Sequence, residues 1–205
     1  MAEVLFIAGS PSRSSGTASI LYALQSRVEA SGHRTKFVRV RNLPATALLH
    51  GEFDHPDIVR VVADVSAAAV VVVGTPVYKA SYAGVLKALL DLLPQNALAG
   101  KVVLPVATGG SLAHLLALEY ALKPVLAALG TQTFLSAIYV QDKQILDTTA
   151  PRFEAEVEQR LESAVDAISA YLGKAAPPRL ISPPAVPAGS DAEAALQAGH
   201  GVNPQ

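Results

Sequence analysis

The chain is predicted to fold as an α/β domain, a doubly wound parallel sheet of five strands with helices on both faces. Three observations carry this. β-rich runs alternate with stretches of helical spacing from Val4 to Leu172. The inner runs AAVVVV (68–73) and VVLPVA (102–107) are continuously apolar rather than alternating, as in strands covered on both faces. Apolar residues make up 51% of the 205 positions and charged residues 16%, enough for a large core.

Val4–Ala8 is the first strand and ends in the cluster Gly9, Ser10, Pro11. From about Ser15 to Ser31, Ala18, Leu21, Tyr22, Leu24 and Val28 recur at helical spacing, and Gly32 stops the helix. Thr35–Val40 is the second strand. Asn42–Pro56 reads as a polar, irregular connection with two prolines, and Asp57–Val65 as a short helix. Strand three is Ala68–Val73, followed by a helix at Ala83–Leu93, and strand four is Val102–Ala107. Ser111–Leu129 reads as one long helix, Phe134–Val140 as the last strand and Pro151–Leu172 as the last helix. Residues 1–172 thus form one domain. Positions 173–205, rich in proline, alanine and glycine, are a poor source of core and are expected to be an irregular tail.

A net charge of −1 lacks the basic face that nucleic-acid binding needs, and gives no hold on an anionic membrane. It also differs from the acidic surface of a small electron carrier. With no cysteine, disulfides, thiolate metal sites and cysteine nucleophiles are excluded. No apolar run reaches the roughly 18 residues of a membrane span, because Gly74, Thr75 and Pro76 break the longest. The apolar start has no basic segment before it, so a cytoplasmic location is expected.

Ligands of doubly wound sheets sit beyond the carboxyl ends of the strands, so three loops matter. The first, Gly9–Thr17, brings Ser10, Ser12, Arg13, Ser14, Ser15 and Thr17 to a helix N-terminus. Its unpaired N–H groups, hydroxyls and guanidinium suit a phosphate, although a serine-rich helix cap would look the same in isolation. Neither G-x-G-x-x-G nor the Walker A pattern is present. The second loop, Gly74–Tyr82, carries Pro76, Val77, Tyr78 and Lys79, a stiff turn with an aromatic surface. The third, Thr108–Gly109–Gly110–Ser111, lets backbone approach a flat ligand closely. A phosphate site beside room for a planar ring matches flavin mononucleotide, FMN.

The five histidines show no metal-ligand spacing and read as surface or loop residues, with no metal site expected. No G-x-S-x-G elbow marks a hydrolase. Pro124 lies inside the helix around HLLALEYALKPVLAAL and should distort it near Tyr120, with a π-bulge as one form.

The segments GSPSRSS, TPVYKASYAGVLKALLDLLP and KVVLPVATGGSLAHLLALEYALKPVLAALG resemble the NADPH-dependent FMN reductases, in particular the alkanesulfonate-assimilation branch. The likeness spans Val4 to Leu172. It implies a flavodoxin-like fold, usually as a homotetramer, and reduction of FMN by NAD(P)H to supply a flavin-dependent monooxygenase. It also implies that Ser10, Ser12, Arg13, Ser14, Ser15 and Thr17 surround the FMN phosphate. Pro76, Val77, Tyr78 and Lys79 would border one side of the ring, and Thr108, Gly109, Gly110 and Ser111 the other. In that branch a tyrosine inserted in the fourth helix creates a π-helix at the tetramer interface, and Tyr120 occupies that place.

In such a reductase the cofactors carry the chemistry, and the protein stacks two rings and excludes side reactions. No acid or base is required, so Tyr120 is the one residue singled out, for flavin exchange. The 2′-phosphate of NADPH would need a basic partner, with Lys79 and Arg13 as candidates. Competing readings are a quinone, azo or metal-ion reductase that keeps its FMN, a flavodoxin-type carrier, and a flavin-free interaction protein.

Overall fold

The computed structural model describes residues 4–174. The elements run β1 (Val4–Ala8), α1 (Gly16–Ala30), β2 (Thr35–Arg39), α2 (Ala45–His50), α3 (Pro56–Ala67), β3 (Val70–Tyr78), β4 (Ser81–Tyr82), α4 (Gly84–Leu90), β5 (Val102–Gly109), α5 (Lys123–Ala128), β6 (Thr133–Phe134), β7 (Ile138–Gln141), β8 (Ile145–Asp147), β9 (Arg152–Phe153) and α6 (Ala155–Lys174). The expected irregular tail lies, from residue 175 on, outside the described residues.

The main sheet has the order β2-β1-β3-β5-β6, with β7 continuing the edge position beside β5. All these pairings are parallel, as in Val4 opposite both Thr35 and Val70, Val70 opposite Val102 and Val106 opposite Ile138. Counting β6 and β7 as one interrupted strand, this is the flavodoxin-like order, and it confirms the doubly wound expectation. Because side chains alternate along a strand, the sheet feeds two cores. Phe6, Val70, Val72, Leu104 and Val106 pack under α1 and α6, against Leu21, Leu24, Leu161 and Ile168. Leu5, Ile7, Val71, Val73 and Val103 face the opposite way, against Ile58, Leu86, Leu89 and Leu122.

Helix α1 begins at Ser15, whose hydroxyl accepts the Ala18 N–H at 3.2 Å. It ends before Gly32, whose φ of +87° is the left-handed geometry that stops a helix. An Arg27–Glu158 ion pair joins α1 to α6, and a His33–Ser169 contact of 3.1 Å ties the turn after α1 to the same helix.

Four readings are corrected. The connection 42–56 contains α2, whose six residues are too few to show a period. The run Ser111–Leu129 is not one α-helix but a 3-10 turn (Leu112–Leu115), a π-turn (Leu118–Leu122) and then α5. The last strand breaks between Phe134 and Ile138, so β6 and β7 meet different stretches of β5. Hairpins β3–β4 and β8–β9 were not anticipated, since their second strands have two residues each.

The two faces close tightly on the carboxyl edge. A Cβ on Gly9 would lie 2.7 Å from Leu86 Cβ and 3.0 Å from its Cγ, both near the α4 backbone. Gly9→Ala should therefore cost about 1–3 kcal/mol by overpacking. Urea unfolding checks this, and an unchanged midpoint would show that α4 yields freely.

Candidate active site

The strand register gathers the three loops at one edge. Ala8 pairs with Gly74, Pro76 with Thr108, and the Gly9 N–H donates to the Gly74 carbonyl at 2.7 Å. In the first loop Ser10 is buried and its hydroxyl accepts the Ser12 N–H at 3.3 Å. Ser12, Arg13 and Ser14 are exposed, and the Arg13 guanidinium has no partner among the described residues. Ser15 caps only Ala18, which leaves the first-turn N–H groups of Gly16 and Thr17 at the open, positive end of α1.

Two residues missed in the sequence orient this loop. Arg39 donates to the carbonyls of Ser12 (3.3 Å) and Arg13 (2.9 Å), and Arg41 donates to that of Pro11 (3.0 Å). A trans peptide points the next N–H away from its carbonyl. Drawing carbonyls 11–13 toward the arginines therefore turns the N–H groups of Ser12, Arg13 and Ser14 the other way, as the Ser12 bond to Ser10 shows. Amides turned to one side and guanidiniums around them make an anion-binding loop.

In the second loop the buried Thr75 hydroxyl accepts the Ala83 N–H and donates to the Pro76 carbonyl, both at 2.9 Å. Val77 is core and Pro76 half-buried, whereas Tyr78 is 48% exposed. Lys79 and Ala80 turn the β3–β4 hairpin at φ +49° and +62°. Two successive left-handed non-glycine residues are strained, a feature concentrated at functional loops. Burial raises the Tyr82 pKa against the opposing Lys87 charge, with Asp91 adding to the rise.

At the third loop the hydroxyls of Thr108 and Thr17 bond each other at 2.6 Å, both buried. They lock α1 to β5 and are engaged with each other. Gly109 is closely packed, since a Cβ there would lie 2.8 Å from the Tyr139 hydroxyl and 3.0 Å from His114 Nδ1. The Tyr139 hydroxyl donates to the Ser111 carbonyl at 2.5 Å. Burial, helped by Asp142, raises its pKa and keeps it a donor. The Ser111 hydroxyl accepts the Ala113 N–H at 3.3 Å. His114, read as a surface residue, instead has a buried Nδ1 without a partner against this glycine. No local motif announced it, because its position follows from the 3-10 turn.

The expected distortion at Tyr120 is a π-turn, closed by the Lys123 N–H on the Leu118 carbonyl. Its cause is local. Pro124 has no N–H to give the Tyr120 carbonyl four residues earlier, and its ring would clash there. Tyr120 is left 80% exposed, beside the exposed Leu112, Leu115 and Leu116. The donor set fits a ligand with a phosphate and a planar ring. Amides and Arg13 meet the first, and Tyr78 and the glycine-lined backbone meet the second.

Residues 2–144 match the family model described as NADPH-dependent FMN reductase. The chain is 42% identical to the FMN reductase (NADPH) of Pseudomonas putida over 88% of this chain and 92% of that one. It is also 42% identical to the FMN reductase (NADPH) of Escherichia coli, over 80% and 86%. Among solved structures it resembles an NADH:FMN oxidoreductase in apo form (TM-score 0.76, 38% identity, 90% of this chain and 92% of that one). An archaeal flavodoxin shares the fold at 11% identity (TM-score 0.53, covering 84% and 99%).

If the β3–β4 turn is strained as its angles indicate, Ala80→Gly should stabilise the protein by about 1 kcal/mol. Thermal or urea unfolding measures this, and a lower midpoint would remove the strain argument.

Proposed function

The chain belongs to the NADPH-dependent FMN reductase family, an NAD(P)H-dependent oxidoreductase acting on FMN, and from that premise we propose that it releases reduced FMN to a flavin-dependent monooxygenase of alkanesulfonate desulfonation. NADPH is the preferred donor in this reading, as in the names of the two relatives. The observation that carries the site is the clamped loop, whose amides meet the open end of α1 beside the glycine-lined ends of β3 and β5.

FMN supplies an N5 that accepts hydride from the dinucleotide. The chain's own part is binding and orientation. The Arg13 and Ser14 amides, the α1 end and the Ser10, Ser12, Ser14 and Arg13 side chains hold the phosphate. Ser15 and Thr17 serve it indirectly, as the cap and the lock of α1. Pro76, Tyr78 and Lys79 border the ring from one loop, with Val77 shaping that turn from the core. The Thr108–Ser111 backbone borders it from the other, near His114. Hydride transfer between the two bound rings would need no acid or base from the protein.

The exposed π-turn with its leucines supports a homotetramer in which Tyr120 lies between subunits and governs flavin exchange. A retained-FMN quinone or azo reductase would instead hold its flavin through gel filtration.

The deciding experiment is NADPH consumption by flavin-stripped protein with FMN titrated from zero. Saturable, FMN-dependent oxidation releasing free reduced flavin is expected. Oxidation only with a quinone or dye, with stoichiometric flavin retained, would overturn it. Arg13→Ala should weaken FMN binding by about 1–3 kcal/mol, the worth of a charged hydrogen bond. An unchanged flavin titration would remove Arg13 from the phosphate site. Tyr120→Ala should leave the fold intact but alter oligomer size or flavin release, and a tetramer with unchanged turnover would refute its role.

A further inference from the structure

The clamped loop has a second side. On the flank of α1 lies a cavity of about 260 Å³ lined by Arg13, Ser14, Ser19, Tyr22, Arg39 and Thr149. Neither Ser10, Ser12 nor Thr17, and no residue of the β3 or β5 loops, reaches it. Ser15, Ala18, Ser19 and Tyr22 come to it at helical spacing, one stripe of α1.

Three features equip this cavity for an anion. Ser19 is 3% exposed and its hydroxyl has no partner among the described residues, although a mid-helix serine ordinarily bonds the preceding turn. Arg39 bonds the loop carbonyls through one terminal nitrogen only, leaving other guanidinium donors of its fork. Among the described residues no acidic side chain lines the cavity. In the adjoining turn Asp147 Oδ1 accepts the Thr149 and Ala150 N–H groups at 2.8 and 3.1 Å. Tyr22, stacked on Phe37 with centroids 4.2 Å apart and still 41% exposed, adds an aromatic wall.

We propose that this cavity binds the 2′-phosphate of NADPH, between the Arg39 guanidinium and the Ser19 hydroxyl, and so sets the preference over NADH. The inference rests on the reading that a dinucleotide reduces FMN here. The volume falls below that of pockets enclosing whole drug-sized ligands, about 300–1,000 Å³, and suits a phosphate with its ribose. The face of Tyr22 suits the attached purine. Lys79, the other basic candidate, stands on the β3–β4 turn and does not line this cavity.

The test is binding of 2′,5′-ADP, 5′-ADP and inorganic phosphate to the full chain, with steady-state kinetics on both dinucleotides. The wild type should bind 2′,5′-ADP at least roughly tenfold more tightly than 5′-ADP, as a doubly charge-assisted contact would give. Ser19→Asp sets a carboxylate in the cavity. It should abolish that difference and raise KM for NADPH about tenfold, with KM for NADH and the FMN titration unchanged. Ser19→Ala, which removes an unbonded hydroxyl, should do the same more weakly and covers the case in which the aspartate variant fails to fold.

Equal binding of 2′,5′-ADP and 5′-ADP by the wild type would overturn the proposal. So would a loss of FMN binding in Ser19→Asp, which would make the cavity the flavin's own phosphate site. Inorganic phosphate bound as tightly as 2′,5′-ADP without competing with NADPH would assign it to a free ion and equally overturn it. Were neither dinucleotide oxidised, the proposed activity would fail, while the 2′,5′-ADP comparison would still decide the cavity.

Discussion

The structure depends on a shortage of space at the carboxyl edge of the sheet. Gly9 admits Leu86 of α4 on one face, and Gly74 admits Leu21 of α1 on the other, where a Cβ would lie 2.5 Å from Leu21 Cδ1. The two glycines are themselves bonded backbone to backbone. Because side chains are missing at both, each helix seats directly on the sheet at the level where the loops emerge. The positive end of α1 is then beside the ends of β3 and β5 rather than a side chain's width above them. The Thr17–Thr108 hydroxyl bond fixes that arrangement from within. An anion-binding end and a flat backbone shelf become parts of one site for this packing reason.

A second constraint acts where the chain leaves β5. The 3-10 turn and π-turn of residues 112–122 expose four large apolar side chains, Leu112, Leu115, Leu116 and Tyr120, on a segment that also carries His114. Leu118 and Leu122 are in the core while Tyr120 between them is exposed, and the π-turn inserts one residue into this segment. Pro124 makes the wide turn the cheaper geometry. Site and exposed apolar face are thus built from one irregular segment, which ties whatever covers the leucines to the loop Thr108–Ser111.

Much of this was legible in the sequence where a signal is local and repeated. Helix α1, the continuous strands β3 and β5 and the three loops follow from period and punctuation, and Pro124 betrayed the distortion at Tyr120. What was not legible is of two physical kinds. Elements of two to six residues, such as α2, β4 and β9, are shorter than any period that could announce them. The roles of Arg39 and Arg41 depend on strand order. They lie at the end of β2, and only the placement of β2 beside β1 brings them to the Pro11–Arg13 carbonyls. Val77 errs the other way, since a residue in the right loop turned its side chain into the core.

The hydrogen-bond pattern bears on how firmly such a site can hold its ligand. Of the six residues of the first loop that suit a phosphate, Thr17 has its hydroxyl tied to Thr108, whereas Ser10 and Ser15 accept backbone N–H groups and keep their own O–H to donate. Binding rests on backbone amides, the helix end, serine hydroxyls and one guanidinium. Amides fixed by the arginine clamp need little reorganisation, which favours rapid entry, but they add few charged contacts to slow release. A micromolar complex is worth about −8 kcal/mol and a nanomolar one about −12, a gap of only a few good hydrogen bonds. The exchange of flavin proposed for this site turns on those few bonds.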